Sequence, residues 1–313
     1  MGMKVTRVEL PYFGDLAREF LPKIDGVGAT YWMVNQGKKE LCFDFRKPAG
    51  LKRLLRMIKE SDILLEGFRP GLMERIGLGY DAVRRINPKI VYCSLVGYPP
   101  DGPWARKAGH DLNFQAVAGL LGLGDSEQAI RFGSAQVADL SGSMAAVAGI
   151  LAALVERQST GKGRLLRVAM AEAIHSWLAI PLGHLAAGED PSLQPQWWNG
   201  GHPFYRLYDT ADGKKIAVAA VEKGFALTLL DALGLSELKS LADEPAAHAE
   251  KLSSEIAKVF ATAGRDEWER RLEGKDVCVT GVYSLKEAAE ALDRIRKSAP
   301  SSALVRRKPR SRS

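Results

Sequence analysis

The chain has 313 residues, enough for two domains, since a single core stops growing at about 250–300 residues. Hydrophobic residues make up 46% of it and charged residues 26%, the balance of an ordinary globular protein, which excludes a disordered or fibrous chain over most of the length. The net charge of +7 hints at nucleic acid, but Arg294, Arg296, Lys297, Arg306, Arg307, Lys308, Arg310 and Arg312 crowd the end with no acidic residue among them, so the body is near neutral and a nucleic-acid partner is not expected.

No signal peptide opens the chain, because Met1 to Glu9 reads as a short strand carrying charges. Strands are expected at Lys4–Leu10, Asp62–Phe68, Lys89–Gly97 and Leu165–Ala169, with amphipathic helices between them, the pattern of a parallel α/β sheet. Ala49–Lys59 places Leu51, Leu54, Leu55 and Ile58 on one helical face. Asn87-Pro88 and Gly97-Tyr-Pro-Pro100 punctuate as turns. A long helix is expected from Asp139 to about Arg157, with a small-residue face at Ala145, Ala146, Ala148, Gly149 and Ala152 suited to close packing. Its apolar run, Met144 to Leu154, is too short to span a bilayer, and no membrane partner is expected.

Residues 188–203 shift to Pro, Gln, Trp and Gly and read as a linker between a large domain over 1–187 and a small α+β domain over 204–290. In the latter, Tyr205–Asp209 and Lys214–Ala220 form a hairpin through Ala211-Asp-Gly213. Helices at Lys223–Leu233, Ala246–Thr262 and Asp266–Leu272 and a strand at Val277–Val282 follow. Residues 291–313 read as a basic, disordered tail. Cys42, Cys93 and Cys278 are odd in number and widely spread, which gives neither a disulfide framework nor metal spacing and makes a reducing cytoplasm the default. His175, His184, His202 and His248 have no metal spacing either, so no metal is expected.

Three residues carry a possible chemistry. His110 stands in Ala108-Gly-His-Asp-Leu-Asn-Phe114, Asp139 in Gln136-Val-Ala-Asp-Leu-Ser-Gly142, and Glu222 in Ala219-Ala-Val-Glu222. A histidine and a carboxylate can take a proton from one face of a carbon and return one to the other, given one group in each protonation state. Each residue also has a plainer role: His110 hydrogen-bonded in a turn, Asp139 an N-cap, Glu222 a first-turn helix acid. At a helix start Asp139 would be kept charged, and the N–H groups that follow it, with Gly142, would be available to an oxyanion. Gly119-Leu-Leu-Gly-Leu-Gly124 follows a helix and not a strand, and Thr160-Gly-Lys162 lacks the glycine of a P-loop, because Glu156 stands there. Neither supports a nucleotide redox cofactor.

These words resemble the family III CoA-transferases (CaiB/BaiF) and, within them, the α-methylacyl-CoA racemases. The resemblance runs through Asn35-Gln-Gly-Lys-Lys39, Glu66-Gly-Phe-Arg-Pro-Gly71, Val91-Tyr-Cys-Ser94, Asp101-Gly-Pro103, the segment around His110 and Ser159-Thr-Gly-Lys-Gly163. It continues in Pro203-Phe-Tyr205, Asp212-Gly-Lys214 and Asp276-Val-Cys-Val-Thr280. It implies a Rossmann-like large domain, an interlocked homodimer and an acyl-CoA thioester as substrate, with no bound cofactor. It assigns His110, partnered by Glu222, to one face of the substrate's α-carbon and Asp139 to the other, whereas in the transferase branch the aspartate is a nucleophile. For CoA it points to Lys38, Lys39, Arg69, Leu72 and Arg75, whose plainer role is solvated surface, with Gly109, Asp111 and Phe114 along the pantetheine arm. The chain opens at what the family carries as its second strand, and the basic tail stands in place of the family's return segment. The expected activity is racemisation of a 2-methylacyl-CoA; the alternatives are CoA transfer between carboxylic acids through Asp139, or a catalytically silent relative that binds CoA esters.

Overall fold

The computed structural model describes residues 2–12, 14–123, 135–192 and 196–297. Over these residues the chain divides into two compact units, the first ending at Ala186 and the second beginning at Ala187.

The first unit opens with β1 (Thr6–Glu9), the short pair β2 (Lys23–Ile24) and β3 (Val27–Gly28), α1 (Ala29–Asn35) and β4 (Lys39–Cys42). Then come α2 (Pro48–Lys59), β5 (Ile63–Glu66), α3 (Leu72–Arg75), α4 (Tyr80–Ile86), β6 (Val91–Val96) and α5 (Asp111–Val117). It closes with α6 (Val137–Thr160), β7 (Leu165–Ala169), α7 (Met170–His175) and α8 (Ala179–Ala186). The three later strands expected from the sequence form one parallel sheet, ordered β5-β6-β7. The first does not join it. Instead β1 pairs in parallel with β4, a strand the sequence reading missed, from Thr6 opposite Lys39 to Glu9 opposite Cys42. Lys39-Glu-Leu-Cys42 is short and half charged, so no alternation announces it.

Strand β6 is buried on both faces, as parallel strands covered by helices are. On one face Tyr92 packs with Leu54 and Ile58 of α2, Val83 of α4, and Leu78 and Ile90. On the other, Val91 and Cys93 meet Ala146, Ile150 and Ala153 of α6. Small residues let this helix lie close to the sheet, but on another face than expected: Ala138, Gly142, Ala146 and Ala153 are buried, whereas Ala148 and Ala152 are exposed. It is longer at both ends than the sequence suggested: 24 residues, apolar and long enough to meet the criterion for a bilayer span, which corrects the shorter estimate. Its buried face is nonetheless engaged by β6, β7 and α7. Gly163 after it is obligatory, because a Cβ there would lie 1.9 Å from the Ile90 carbonyl oxygen.

The second unit contains β8 (Tyr205–Asp209), β9 (Lys215–Ala219), α9 (Lys223–Ala232), α10 (Ala249–Phe260), α11 (Arg265–Leu272), β10 (Val279–Gly281) and α12 (Leu285–Lys297). Its antiparallel sheet runs β10-β9-β8. Tyr208, Ile216, Leu229, Leu252, Ile256, Phe260 and Trp268 fill one core. Residues 291–297, expected in the tail, belong instead to α12; the tail from Ser298 lies outside the described residues. The helix is tied down by charge: the Arg265 side chain, 4% exposed, donates to Glu287 at 2.7 and 3.1 Å and to the Val282 carbonyl at 2.9 Å. Glu287 also accepts from the Ser284 N–H at 2.8 Å. The Arg265 guanidinium, then the Ser284 N–H, hold the Glu287 carboxyl far below the ordinary range.

A carboxyl depressed on folding contributes stability that is full above its unfolded pKa of about 4.3 and is lost as pH falls. Glu287→Gln should therefore lower the melting temperature at neutral pH by a few degrees, with the gap to the parent protein closing in acid. Thermal melts across the acid range check this; a gap independent of pH would show that the ion pair contributes nothing.

Candidate active site

All three strands of the β5-β6-β7 sheet direct their carboxyl ends to one cavity of about 620 Å³. Gly67 and Phe68 follow β5, Leu95 to Gly97 end β6, and Met170 follows β7; all of them line it. The crevice beyond strand carboxyl ends is where open α/β sheets receive ligands. Helix α6 runs back along β6: Gly142 near its start lies against Met170 and Leu95, while Arg157 near its end reaches the carbonyl of Lys89. This brings Asp139 to the cavity.

His110 and Asp139 both line that cavity, with Arg69, Gly109, Asp111 and Phe114. Six of the residues expected from the sequence are thus brought together. Leu72 and Arg75 are the first and last residues of α3, the helix after Arg69. Arg69 also borders a second cavity, of about 480 Å³. Lys38 does not stand free: it donates to Asn35 Oδ1 at 3.0 Å, and burial, then the Arg7 charge, push its ammonium downward. Lys39 opens β4, its N–H bonded to the Val5 carbonyl at 2.9 Å, with an exposed side chain. Glu222 belongs to the second unit, where it is the N-cap of α9 and makes no side-chain cap bond. Among the described residues, no group of three or more His, Cys, Asp or Glu is placed to hold a metal.

His110 is the N-cap of α5, fixed through its backbone: its N–H donates to Asn113 Oδ1 at 3.0 Å and its carbonyl accepts from the Asn113 N–H at 2.8 Å. Phe114, one turn in, is 4% exposed and serves as a floor of the cavity it lines. Its ring stacks edge-on against Tyr98 at 5.1 Å, and Tyr98 against Trp104 at 5.5 Å. Gly97 and Gly109 are required here, since a Cβ would fall 2.3 Å and 2.8 Å from the Phe114 ring.

Two expectations for Asp139 change. It is not the N-cap of α6; Gln136 is, and Asp139 is the third helical residue. The N–H groups from Ala138 to Leu140 are not open to an oxyanion. Those of Ala138 and Asp139 donate to Asp111 Oδ1 at 2.8 and 3.0 Å, and that of Leu140 to the Gln136 carbonyl at 2.9 Å. Asp111, expected along the pantetheine arm, is therefore the side chain that caps α6, and its other oxygen accepts from Gln115 Nε2. Gln115 is buried and one helical turn from Asp111, a spacing readable in the sequence once the cap is known. The Asp139 carboxyl is raised from its ordinary value. Partial desolvation at the cavity, on a residue that still reaches solvent, is the first cause and the Asp111 charge the second, opposed by His110. The Cys93 thiol, by contrast, is fully buried and pushed up to about 11 by burial, so it offers no thiolate.

Residues 1–299 match CoA-transferase family III, and the chain belongs to that family. Human (Homo sapiens) alpha-methylacyl-CoA racemase is 36% identical over 276 residues, which cover 85% of this chain and 71% of that protein. Human succinyl-CoA:glutarate CoA-transferase is 32% identical over 245 residues, covering 76% and 55% respectively. The crystal structure of a CAIB/BAIF family protein from Brucella suis superposes with a TM-score of 0.81 at 26% identity, covering 94% of this chain and 80% of that one.

The Phe114 floor allows a direct check. Gly97→Ala must displace a buried ring and should cost about 1–3 kcal/mol of stability. Gly119→Ala has open space around its Cβ but a φ of +90°, so its cost would be local strain alone and should be about 1 kcal/mol. Denaturant unfolding of both variants, with CoA-ester binding measured alongside, should show weakened binding only for Gly97→Ala.

Proposed function

We propose that this protein racemises a 2-methylacyl-CoA by 1,1-proton transfer. The observation that carries the reading is the presence of two acid–base groups, His110 and Asp139, on one cavity, electrostatically coupled, with Asp139 raised in proton affinity. A general base or acid works best when its pKa approaches the operating pH, and a raised carboxyl moves that way. In one direction the Asp139 carboxylate takes the α-proton and the electron pair passes to the thioester oxygen. The His110 imidazolium then delivers a proton to the opposite face, and the C–O π bond re-forms. The reverse direction exchanges the two roles. With the N–H groups of Ala138, Asp139 and Leu140 occupied, the N–H groups of Asp111 and Leu112 at the start of α5 are the candidate donors for an enolate oxygen.

Arg69 at the cavity and Arg75 at the end of α3, the helix that follows it, suit phosphate oxygens of CoA. Glu222 as partner of His110, Lys39 as a phosphate contact and a homodimeric assembly belong to the same reading and rest on the resemblance. The similarity to a racemase supports the choice of reaction.

Transfer of CoA is the second reading, favoured by the similarity to a CoA-transferase. There the Asp139 carboxylate attacks the thioester carbonyl, CoA leaves as thiolate, and an acyl–aspartyl anhydride remains on the protein.

Incubation with 2-methylacyl-CoA esters in D2O should give loss of the α-proton signal together with racemisation. His110→Ala should slow this by about 10²–10⁴-fold. Absence of exchange by the folded protein with several such esters would rule racemisation out. For the second reading, acyl-CoA followed by hydroxylamine should leave Asp139 unmodified by mass spectrometry. A trapped Asp139 together with acyl exchange onto a free acid would reverse the order of the two.

A further inference from the structure

The Asp111 carboxylate occupies an unusual position. One oxygen takes both N–H bonds at the start of α6, and the other is held by Gln115, itself 3% exposed. We propose that Asp111 is a positioning residue for Asp139: it clamps the first turn of α6 by two N–H bonds and sets a negative charge beside the Asp139 carboxyl. This rests on the acid–base reading of Asp139 and extends it to a residue that need not touch the substrate.

The physical argument has two parts. A carboxylate in the first turn of a helix ordinarily gains from the partial positive charge of the free N–H groups, which lowers its proton affinity. Here Asp111 has claimed the N–H groups nearest Asp139, so that stabilisation goes to Asp111. The same charge then repels the ionised form of Asp139. The clamp also fixes the backbone from which Asp139 projects, since Ala138 is fully buried beneath it.

Other charges do not compete strongly. The elements packed on α6 carry His110 and Asp111 (α5), Glu172 and His175 (α7), Tyr92 and Cys93 (β6) and Arg164 and Arg167 beside or within β7, and the cavity wall adds Arg69 and Lys107. Of these, Asp111 and His110 act on Asp139, in opposite senses. His175 is engaged elsewhere, with Nδ1 2.9 Å from the Ala118 carbonyl.

Two substitutions separate clamp from charge. Asp111→Asn keeps an oxygen for the two N–H groups and removes the charge, with the Gln115 amide turned to present its own oxygen; Asp111→Ala removes both. The first readout is the titration of the Asp139 carboxyl by ¹³C NMR on aspartate-labelled protein, assigned by difference against Asp139→Asn. The second is the pH profile of α-hydrogen exchange from a 2-methylacyl-CoA. In Asp111→Asn the Asp139 signal should titrate at lower pH than in the parent protein. The acid limb of exchange should move with it, in the direction where Asp139 is the base. In Asp111→Ala kcat should fall about 100-fold, the scale of a misplaced catalytic group, with KM changed by only a few-fold.

If Asp111→Asn leaves the Asp139 titration in place, or Asp111→Ala keeps the parent kcat, the proposal is overturned. Equal losses in both variants with an unmoved titration would show that Asp111 is merely structural, which overturns it too. Should Asp111→Asn not fold, Gln115→Met keeps the charge and loosens its support: kcat should drop about 10-fold with the acid limb unmoved, and an unchanged kcat counts against the clamp. The NMR titration needs no turnover. A protein without exchange activity whose Asp139 still shifts in Asp111→Asn would refute racemisation and leave the positioning role standing.

Discussion

The burial of β6 on both faces is the constraint on which the first unit depends. A strand with Val91, Tyr92 and Cys93 all out of water must be covered by helices on either side. The covering helix on one side, α6, can come close only where it carries small residues, and Ala138, Gly142, Ala146 and Ala153 supply that face. Close packing fixes the helix along its length as well as its distance from the sheet. Its start therefore lies at the strands' carboxyl ends, where the cavity is.

That placement creates an electrostatic problem and its solution together. The start of a 24-residue helix leaves N–H groups that need acceptors, here around the buried Ala138. The sequence Gln136-Val-Ala-Asp139 offers no Ser, Thr, Asn or Asp at the N-cap, and the structure brings an aspartate from α5 instead. A cap supplied from outside carries its charge to the neighbouring carboxyl. The residue that satisfies the backbone thus also changes the chemistry of Asp139. Hydrogen bonding and proton affinity are coupled at this turn through one carboxylate.

What was legible in the sequence follows the strength of each physical signal. The apolar runs of β5, β6 and β7 and the hairpin of β8 and β9 stand out because burial and turn chemistry act locally. His110 and Asp139 were legible through the words around them, and the structure brings both to one cavity. Strand β4 was not, since four residues with two charges carry no period, and the end of α12 was hidden by the basic composition that follows it. The packing roles of Asp111 and Phe114 were not legible, for one reason. Both depend on contacts between segments far apart in the chain, a cap given to α6 and a ring under Gly97, which no local pattern encodes.

On the proposed reading, a basic, accessible carboxylate beside a thioester does not by itself choose between proton transfer and acyl transfer. Raised basicity strengthens a carboxylate as nucleophile as well as base, so the state of Asp139 is compatible with both chemistries. The discriminating group is the second one. Attack on the carbonyl carbon needs a single nucleophile and a way for thiolate to leave. Inversion at the α-carbon needs a proton donor on the face opposite the base. His110 provides a second acid–base group on the same cavity, and its backbone is fixed by Asn113. The balance of the two reactions on this fold therefore turns on which atom of the thioester is presented to the Asp139 oxygen while His110 faces the other side: the carbonyl carbon for transfer, the α-hydrogen for racemisation.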